Sequence, residues 1–209
     1  MGDTMATLGL RLRIERKSFL TAAGEARTVL AGVELALDPG EVVALVGPSG
    51  CGKTTLMRIA AGLDSGFSGS RVWLGATRPR IGMVFQEPRL LAWRTVRQNI
   101  LLAQARPRPD LAAALLHRLG LADFADAWPG TLSLGMARRV AIARALAVEP
   151  DLLLLDEAFA SLDPEMVALI HALLRETWRA RPIASLLVTH DRGEAAALAD
   201  RVLALPPSP

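Results

Sequence analysis

Two kinds of hydrophobic pattern follow one another along the 209-residue chain. Residues 8–15 and 29–37 alternate apolar with polar or small side chains, which predicts half-buried strands, and residues 71–74 would add a third. Three later segments are near-continuous apolar runs, typical of parallel strands covered on both faces: residues 81–85, 152–155 and 184–189. The pattern therefore predicts an α/β fold with a mostly parallel sheet and an N-terminal antiparallel β subdomain.

Residues 95–128 interrupt the strand pattern and indicate an inserted helical subdomain. Helical periodicity covers residues 96–102 and 111–119. The proline-rich residues 106–109 predict a turn between them, with Asp110 as the N-cap of the second helix.

Composition limits the class of protein. Half of the residues are hydrophobic, which excludes general disorder, and 24 Lys and Arg against 21 Asp and Glu leave a net charge of +3. No dense basic run argues for nucleic acid, although some arginines could face anionic lipid or an acidic partner. No apolar run approaches the ~18–20 residues of a membrane span, the first ten residues lack a signal-peptide pattern, and Cys51 is the only cysteine. We therefore expect a cytosolic chain.

Residues 42–55 are a candidate phosphate-binding loop, in which a buried strand leads through a glycine-rich turn into a helix that is predicted to end at Gly62. The pattern G-x-x-x-x-G-K-[ST] is met from Gly47 to Thr54. The backbone N–H groups and the helix dipole of such a loop converge on a polyphosphate. Lys53 would contact the β- and γ-phosphates, and the Thr54 hydroxyl would ligate Mg²⁺. The candidate nucleotide-phosphate-binding residues are Gly47, Pro48, Ser49, Gly50, Cys51, Gly52, Lys53, Thr54 and Thr55.

An acidic pair ends the apolar run at residues 152–155. Asp156 would hold Mg²⁺ through its water shell, and Glu157 would act as general base or orient the attacking water. Alone, such a pair is more often a solvated loop, and a phosphate loop alone fits a kinase, a GTPase or many ATPases. Together, the two motifs favour nucleotide hydrolysis.

The segment Leu132-Ser133-Leu134-Gly135-Met136, followed by ARRVAIARAL, resembles the signature of ATP-binding cassette (ABC) proteins. Its companions follow the family order: Gln86 after a strand, Ser161-Leu162-Asp163 after the acidic pair, and His190 in Val-Thr-His-Asp. The resemblance covers residues 8–205. It implies a single P-loop NTPase domain, with core and β subdomain in residues 8–94 and 137–205 and a helical subdomain in residues 95–136.

The resemblance also implies roles for these residues. Two cassettes pair head to tail around two ATP molecules, so Ser133 and the backbone near Gly135 would contact the γ-phosphate held by the other copy. Gln86 would contact Mg²⁺ or water and sense the partner, Asp163 would link the two sites across the dimer, and His190 would hold the γ-phosphate. A histidine is by default a satisfied surface or core residue, but a position at a strand end favours the functional role.

Four positions leave alternatives open or depart from the family pattern. Phe19 lies where the family places an aromatic that stacks on adenine, and packing is an equal alternative. Cys51 is expected to serve the loop through its backbone rather than its side chain. The alternative is a thiol with a lowered pKa that reacts with a maleimide, and bound ATP would then protect it. Leu134 replaces the usual glycine, so we expect a weaker or rearranged contact across the dimer. Ala158 stands where the family often has a proline after the acidic pair, so the turn there is expected to be less rigid.

Residues 85–100 and Met136 resemble importer subunits of the nitrate, sulfonate and taurine group. In that group this region faces the membrane permease, and Leu90, Leu91 and Trp93 would suit such a contact; packing within the helical subdomain is the equal alternative. The resemblance implies a peripheral ATPase at the cytoplasmic face of the inner membrane, working with a separate permease and, for an importer, a solute-binding protein.

Two other classes compete with the transport interpretation. A non-transport ABC ATPase of DNA repair or translation would need a long coiled-coil insertion or two cassettes, for which 209 residues leave no room. A soluble P-loop kinase would leave the signature segment unexplained.

Overall fold

The computed structural model describes residues 8–22, 24–75 and 79–207. This part of the chain contains eight strands and six α-helices, besides two short 3₁₀ turns at Ala122–Phe124 and Pro129–Thr131. In chain order they are β1 (Gly9–Leu20), β2 (Ala26–Leu37), β3 (Val42–Val46), α1 (Lys53–Ala60), β4 (Ser68–Leu74), β5 (Ile81–Val84), α2 (Val96–Leu101), α3 (Pro109–Arg118), α4 (Leu134–Ala147), β6 (Leu152–Asp156), α5 (Pro164–Ala180), β7 (Ala184–Val188), α6 (Arg192–Leu198) and β8 (Arg201–Ala204).

The chain divides into two compact units, which are described in turn. The first unit takes the described residues up to 79 and those from 182 onward, and the second takes residues 80–181.

The first unit contains the predicted antiparallel sheet, with strand order β2-β1-β4. Leu10, Leu12 and Ile14 of β1 are buried and pair with apolar residues of β2, as period-two alternation requires. β1 continues to Leu20, beyond the predicted end at residue 15, after a register shift between Lys17 and Ser18. The antiparallel β subdomain is confirmed.

The apolar runs form parallel strands, as predicted. In the first unit β3 lies between β7 and β8, and every residue of β7 is buried. In the second unit β5 pairs in parallel with β6, whose five residues are all buried. The mostly parallel α/β fold class is confirmed, and the carboxyl ends of β3, β6 and β7 each lead into a segment that carries predicted site residues.

Helix α1 ends as the sequence predicts. Gly62 has a φ of 77°, its N–H donates to the Ile59 carbonyl, and the Leu63 N–H donates to the Arg58 carbonyl. These two hydrogen bonds form a Schellman motif, which satisfies carbonyls that the helix end would otherwise leave unpaired.

The predicted N-cap of α3 is wrong. The cap is Arg108, Pro109 occupies the first helical position, and Asp110 lies in the first turn. Proline suits that position because its φ is already helical and it has no N–H to satisfy. The Asp110 carboxylate instead accepts a hydrogen bond from the Arg108 guanidinium at 3.1 Å.

Candidate active site

The candidate phosphate-binding loop joins β3 to α1 in the first unit, and its bends depend on glycine. A Cβ on Gly47 would lie 2.8 Å from both the Cys51 Sγ and the Leu205 carbonyl oxygen. Gly52, the N-cap of α1, has a φ of 96°, and a Cβ there would lie 2.5 Å from a methyl carbon of Leu30. The loop therefore lies against β2 and the end of β8 more closely than any other residue would allow.

Lys53 closes this loop on itself. Its Nζ donates to the carbonyls of Gly47 at 2.8 Å and Pro48 at 2.9 Å. Helix α1 has no side-chain N-cap hydrogen bond and no acidic residue in its first turn, while Thr54 is exposed and Thr55 half-buried. A helix N-terminus with a lysine ammonium beside it, free of competing carboxylates in that turn, fits a polyphosphate.

Cys51 is buried within the loop, contrary to the reactivity considered from the sequence. Its side chain is 2% exposed and lines an apolar cavity of about 270 Å³. The other lining residues are Val29, Leu30, Ala31, Val33, Leu205, Pro206 and Pro207. The thiol therefore supports the loop from its apolar side, and only the backbone of Cys51 can take part in phosphate binding.

Phe19 lies near the end of β1 with an electrostatic partner that sequence reasoning missed. The Lys17 Nζ lies 4.5 Å from the ring centroid, and the Phe19 side chain remains 46% exposed. Lys17 also donates to the Asp64 carboxylate at 2.8 Å and to the Gly66 carbonyl at 2.9 Å. The cation therefore supports the ring while leaving much of it open, which favours stacking over packing.

The sequence held a partial signal for this partner. Lys17 and Lys53 are the only lysines, and Lys17 lies two residues before Phe19, a spacing that shares one face of a strand; the pairing was missed because the predicted strand ended at residue 15. Asp64 follows α1 and could not have been paired with Lys17 without the tertiary structure.

His190 occupies the corner between β7 and α6 in the first unit. The buried Thr189 donates its hydroxyl to Glu194 at 2.5 Å and accepts from the Asp191 N–H at 2.9 Å. The Asp191 carboxylate caps α6 by accepting from the N–H groups of Gly193 and Glu194. The backbone on both sides of His190 is fixed, and its side chain is exposed.

The second unit brings together two of the predicted catalytic residues. Asp156 ends β6 and is 2% exposed, and Glu157 follows with a φ of 47°. The Gln86 Nε2 donates to the Glu157 Oε2 at 3.2 Å. A left-handed backbone is strained for a glutamate, and such strain is concentrated at functional sites. The Glu157 carboxylate is therefore positioned both by its own backbone conformation and by the Gln86 side-chain amide.

The signature segment and Asp163 lie at two helix starts in the same unit. The Ser133 hydroxyl caps α4 by accepting from the Met136 N–H at 3.2 Å, and the Asp163 carboxylate caps α5 by accepting from the Met166 N–H at 2.8 Å. A Cβ on Gly135 would lie 3.4 Å from a Leu162 methyl carbon, so these two segments are neighbours. Leu134, at the first helical position, is 54% exposed.

Electrostatics around the signature are set by arginines of α4. Burial lowers the pKa of Arg139, and the Asp163 carboxylate opposes that shift. Burial also lowers the pKa of Arg144, whose guanidinium donates to the carbonyls of Pro88 and Arg89. Arg144 therefore ties the segment after Gln86 to the signature helix.

Within the predicted permease-facing region, residues 85–100, the buried Asn99 holds residues 91–95 in place, a role that the sequence did not reveal. The Asn99 side chain accepts from the Leu91 N–H at 2.7 Å and donates to the carbonyls of Leu91, Arg94 and Thr95. Leu90 and Leu91 are half-buried, whereas Trp93 is 70% exposed. Packing within the unit therefore buries part of the Leu90 and Leu91 side chains, whereas most of the Trp93 side chain stays exposed.

Two searches of the described residues give negative results. No helix among them is long and apolar enough to cross a membrane. No group of three or more His, Cys, Asp or Glu side chains in that part of the chain is arranged to hold a metal ion.

Comparisons with known proteins identify the family of the chain. The model of the ABC transporter family matches residues 30–160. The chain is 48% identical, over an aligned length of 211, to an aliphatic sulfonates import ATP-binding protein, SsuB 2, of Burkholderia lata. The alignment covers 98% of this chain and 75% of that protein. It is 49% identical over 185 residues to the corresponding protein SsuB of Mycobacterium avium, covering 86% and 72%.

Solved structures give the same result for the fold. A bacterial ABC transporter cassette, MJ0796, solved as a dimer, superposes with a TM-score of 0.86 at 29% identity, covering 94% of each chain. The same cassette in a dimeric post-hydrolysis state bound to ADP and Pi superposes with a TM-score of 0.85 at 28% identity, again covering 94% of each chain.

Proposed function

Because the chain belongs to the ABC transporter family, we propose that its ATP hydrolysis drives import of an aliphatic sulfonate or a similar small organic anion through a separate permease. The chain is an ATP-hydrolysing subunit of an importer. The nature of the solute comes from the relatives alone, since the solute would not contact this subunit.

The observation that carries hydrolysis is the hydrogen bond between Gln86 and Glu157 at the end of β6. A water that attacks the γ-phosphate needs a proton acceptor beside it and a group that fixes its position. Glu157 would accept the proton or orient the water, and Gln86 would hold the carboxylate in place and sense the nucleotide.

Nucleotide binding would use residues of the first unit. The Lys53 ammonium, which bonds to the Gly47 and Pro48 carbonyls, would move to the β- and γ-phosphates. Phe19, supported by Lys17, would stack on the adenine. Mg²⁺, when bound, would neutralise phosphate charge. The side chains of Thr54, Gln86 and Asp156 would hold it, because hydroxyl, amide and carboxylate oxygens suit this ion.

The site would be completed by a second copy of the chain. Ser133 and the backbone near Gly135 lie at the start of α4, where the helix dipole favours an anion, and would contact the γ-phosphate held by the other copy. Asp163 would link the two sites, and His190 would hold the γ-phosphate from the same chain as the phosphate loop. The dimeric relatives support this arrangement.

Trp93 supports a permease contact. Asn99 holds residues 91–95 in one conformation, which presents the Trp93 indole to solvent beside Arg94. An exposed tryptophan on a rigid segment is typical of an interface anchor. The chain would then work as a peripheral subunit at the cytoplasmic face of the inner membrane, with Mg²⁺ as its metal and a solute-binding protein as an indirect partner.

The first experiment tests the hydrolytic role. We expect Glu157→Gln to retain ATP binding, to lose ATP turnover and to accumulate an ATP-bound dimer, measured by phosphate release and by size-exclusion chromatography with light scattering. Glu87→Gln, at an exposed neighbouring position, is the matched control and should behave as the parent chain. Normal turnover by Glu157→Gln would remove Glu157 from this role.

The second experiment tests the transport role. We expect the chain to co-purify with an integral-membrane permease and, in vesicles containing the permease and its binding protein, to hydrolyse ATP faster when an alkyl sulfonate is present. Stimulation by DNA or ribosomes instead would favour a repair or translation ATPase, a class to which none of the relatives named above belongs.

A further inference from the structure

Lys17 is a buried charge that the phosphate chemistry of the site leaves unused. Its side chain is 6% exposed, although lysine is rarely buried unless it is paired. The ammonium donates to the Asp64 carboxylate at 2.8 Å and to the Gly66 carbonyl at 2.9 Å. An ammonium has three N–H donors, and besides these two oxygens the Phe19 ring centroid lies 4.5 Å from the Nζ. The cation therefore joins the ring to residues 64–66.

Lys17 is also connected to both ends of helix α1, whose first turn contains the candidate phosphate-binding lysine. Its partners Asp64 and Gly66 follow the last turn of that helix. Across the sheet Lys17 pairs with Leu30 of β2, and Leu30 lies against the N-cap Gly52, where a Cβ would be 2.5 Å from its methyl carbon. The aromatic ring is therefore placed relative to the start of the helix as well as to its end.

Structural support alone does not explain a cation at this place. A lysine loses its hydration on burial, and apolar side chains of similar volume often replace a buried ion pair without loss of stability. The end of α1 is also held by Arg71, whose guanidinium donates to the Ile59 carbonyl at 2.8 Å. A cation adds one thing that an apolar side chain lacks, an attraction for the face of an aromatic ring. It holds the Phe19 ring from one side while 46% of that side chain stays exposed.

We propose that Lys17 is a positioning residue that makes the affinity of the site depend on the nucleobase. The inference rests on the proposed function, in which Phe19 stacks on the adenine, and adds to it the residue that fixes this ring relative to α1. A ring held at a fixed place beside the phosphate-binding helix lets one nucleotide make both contacts at once, without the entropy cost of ordering the ring. The larger purine gains more from such stacking than a pyrimidine does. Lys17 acts through the ring and contacts neither base nor phosphate.

The test measures binding of ADP, CDP and inorganic pyrophosphate by isothermal titration calorimetry with Mg²⁺. None of the three carries a γ-phosphate, so the titrations report binding without turnover. The variant combines Lys17→Met with Asp64→Leu and is named the paired variant, because Lys17→Met alone would leave a buried carboxylate uncompensated. It should bind ADP about five- to tenfold more weakly than the parent, since the ring is no longer fixed, and pyrophosphate equally well. The loss for CDP should be smaller, so that the preference for the purine falls.

Phe19→Ala shows whether Lys17 acts through the ring. By itself it should weaken ADP binding at least as much as the paired variant does. Combining the two should add no further loss, as expected for residues that share one interaction. In steady-state turnover the paired variant should raise the KM for ATP and leave kcat near the parent value, because the ring affects binding rather than the reacting phosphate.

Arg71→Met is the matched control on the neighbouring strand β4. Arg71 also lies over an aromatic ring, with its guanidinium 5.8 Å from the Trp73 centroid, and it holds the same end of α1. Its removal should lower the melting temperature and leave the ratio of ADP affinity to pyrophosphate affinity at the parent value.

Three results would overturn the proposal. The first is an unchanged ratio of ADP affinity to pyrophosphate affinity in the paired variant. The second is an equal loss for both ligands, or the same fall in the ratio for Arg71→Met, either of which would show a structural role. The third is a further loss of ADP affinity when the paired variant is added to Phe19→Ala. A parent chain that binds neither ADP nor pyrophosphate contradicts the proposed function as well, whereas a parent that binds both and a paired variant that keeps its ratio contradict this inference alone.

Discussion

The ion pair between Lys17 and Asp64 is the most direct place to test how the proposed adenine-stacking residue Phe19 is supported. Their side chains are 6% and 14% exposed, and the Nζ and Oδ1 atoms lie 2.8 Å apart. Removing one member of a buried pair leaves the other charge uncompensated, which costs about 3–5 kcal/mol when the pair is fully buried. Asp64→Asn keeps the shape and one hydrogen-bond acceptor, and Lys17 retains the Gly66 carbonyl. We therefore expect a loss of about 2–3 kcal/mol in the free energy of unfolding.

The pH dependence of this loss has a defined sign. Burial acts most strongly and would raise the pKa of Asp64, but the hydrogen bonds from Lys17 and Gly66 and the charges of Lys17 and Arg58 bring it below the ordinary value of 3.8. A carboxyl whose pKa is lower in the folded state stabilises the fold above its unfolded pKa and loses that contribution as the pH falls through the folded pKa. The difference between parent and Asp64→Asn should therefore be constant near neutral pH and shrink below pH 3.8.

Urea unfolding followed by circular dichroism from pH 7 down to pH 3 measures both effects. As a control, the double variant Lys17→Met with Asp64→Leu should lie within about 1 kcal/mol of the parent, because apolar replacement of a whole buried pair is often neutral. A loss under about 0.5 kcal/mol for Asp64→Asn, or a loss that is the same at pH 3 and pH 7, would refute the reasoning.

Two further predictions concern the loop and the signature. Leu134→Gly should leave ATP turnover equal or higher, because glycine relieves the bulk at an exposed helix start, and a severe loss in a phosphate-release assay would show that Leu134 is adapted to this site. Cys51 should react with a maleimide far more slowly than a free thiol, because its side chain is buried, and ATP should slow it further by ordering the loop. Equal rates with and without ATP, measured by mass spectrometry, would contradict the placement of the loop at the nucleotide.

The fold was predictable where a local pattern has one physical meaning. Alternation over 29–37 requires a half-buried strand, and the continuous apolar run at 152–155 requires burial on both faces, so the two kinds of strand pairing could be distinguished before the structure. Gly62 was predictable for a similar reason, since few residues other than glycine adopt the left-handed conformation that ends a helix.

Contacts between distant residues were not predictable in the same way. Asp64 and Lys17 are 47 residues apart, and the sequence around neither residue indicates that they form an ion pair. Asn99 could be assigned to a helix but not to its role in holding residues 91–95. The N-cap of α3 was misplaced because two local preferences competed, and the fixed φ of Pro109 prevailed over the capping preference of Asp110.

The turn after the acidic pair shows how one departure from the family pattern is accommodated. Glu157 and Ser161 both have left-handed backbones, with φ of 47° and 62°, and such residues persist only where their surroundings fix them. Between them Ala158 and Phe159 are 1% and 2% exposed, and the Phe159 ring packs edge-on against His171 with centroids 4.9 Å apart. Burial of these two side chains holds the turn that a proline at 158 would otherwise stiffen. The orientation of the Glu157 carboxylate therefore depends on the packing of Phe159 as well as on the hydrogen bond from Gln86.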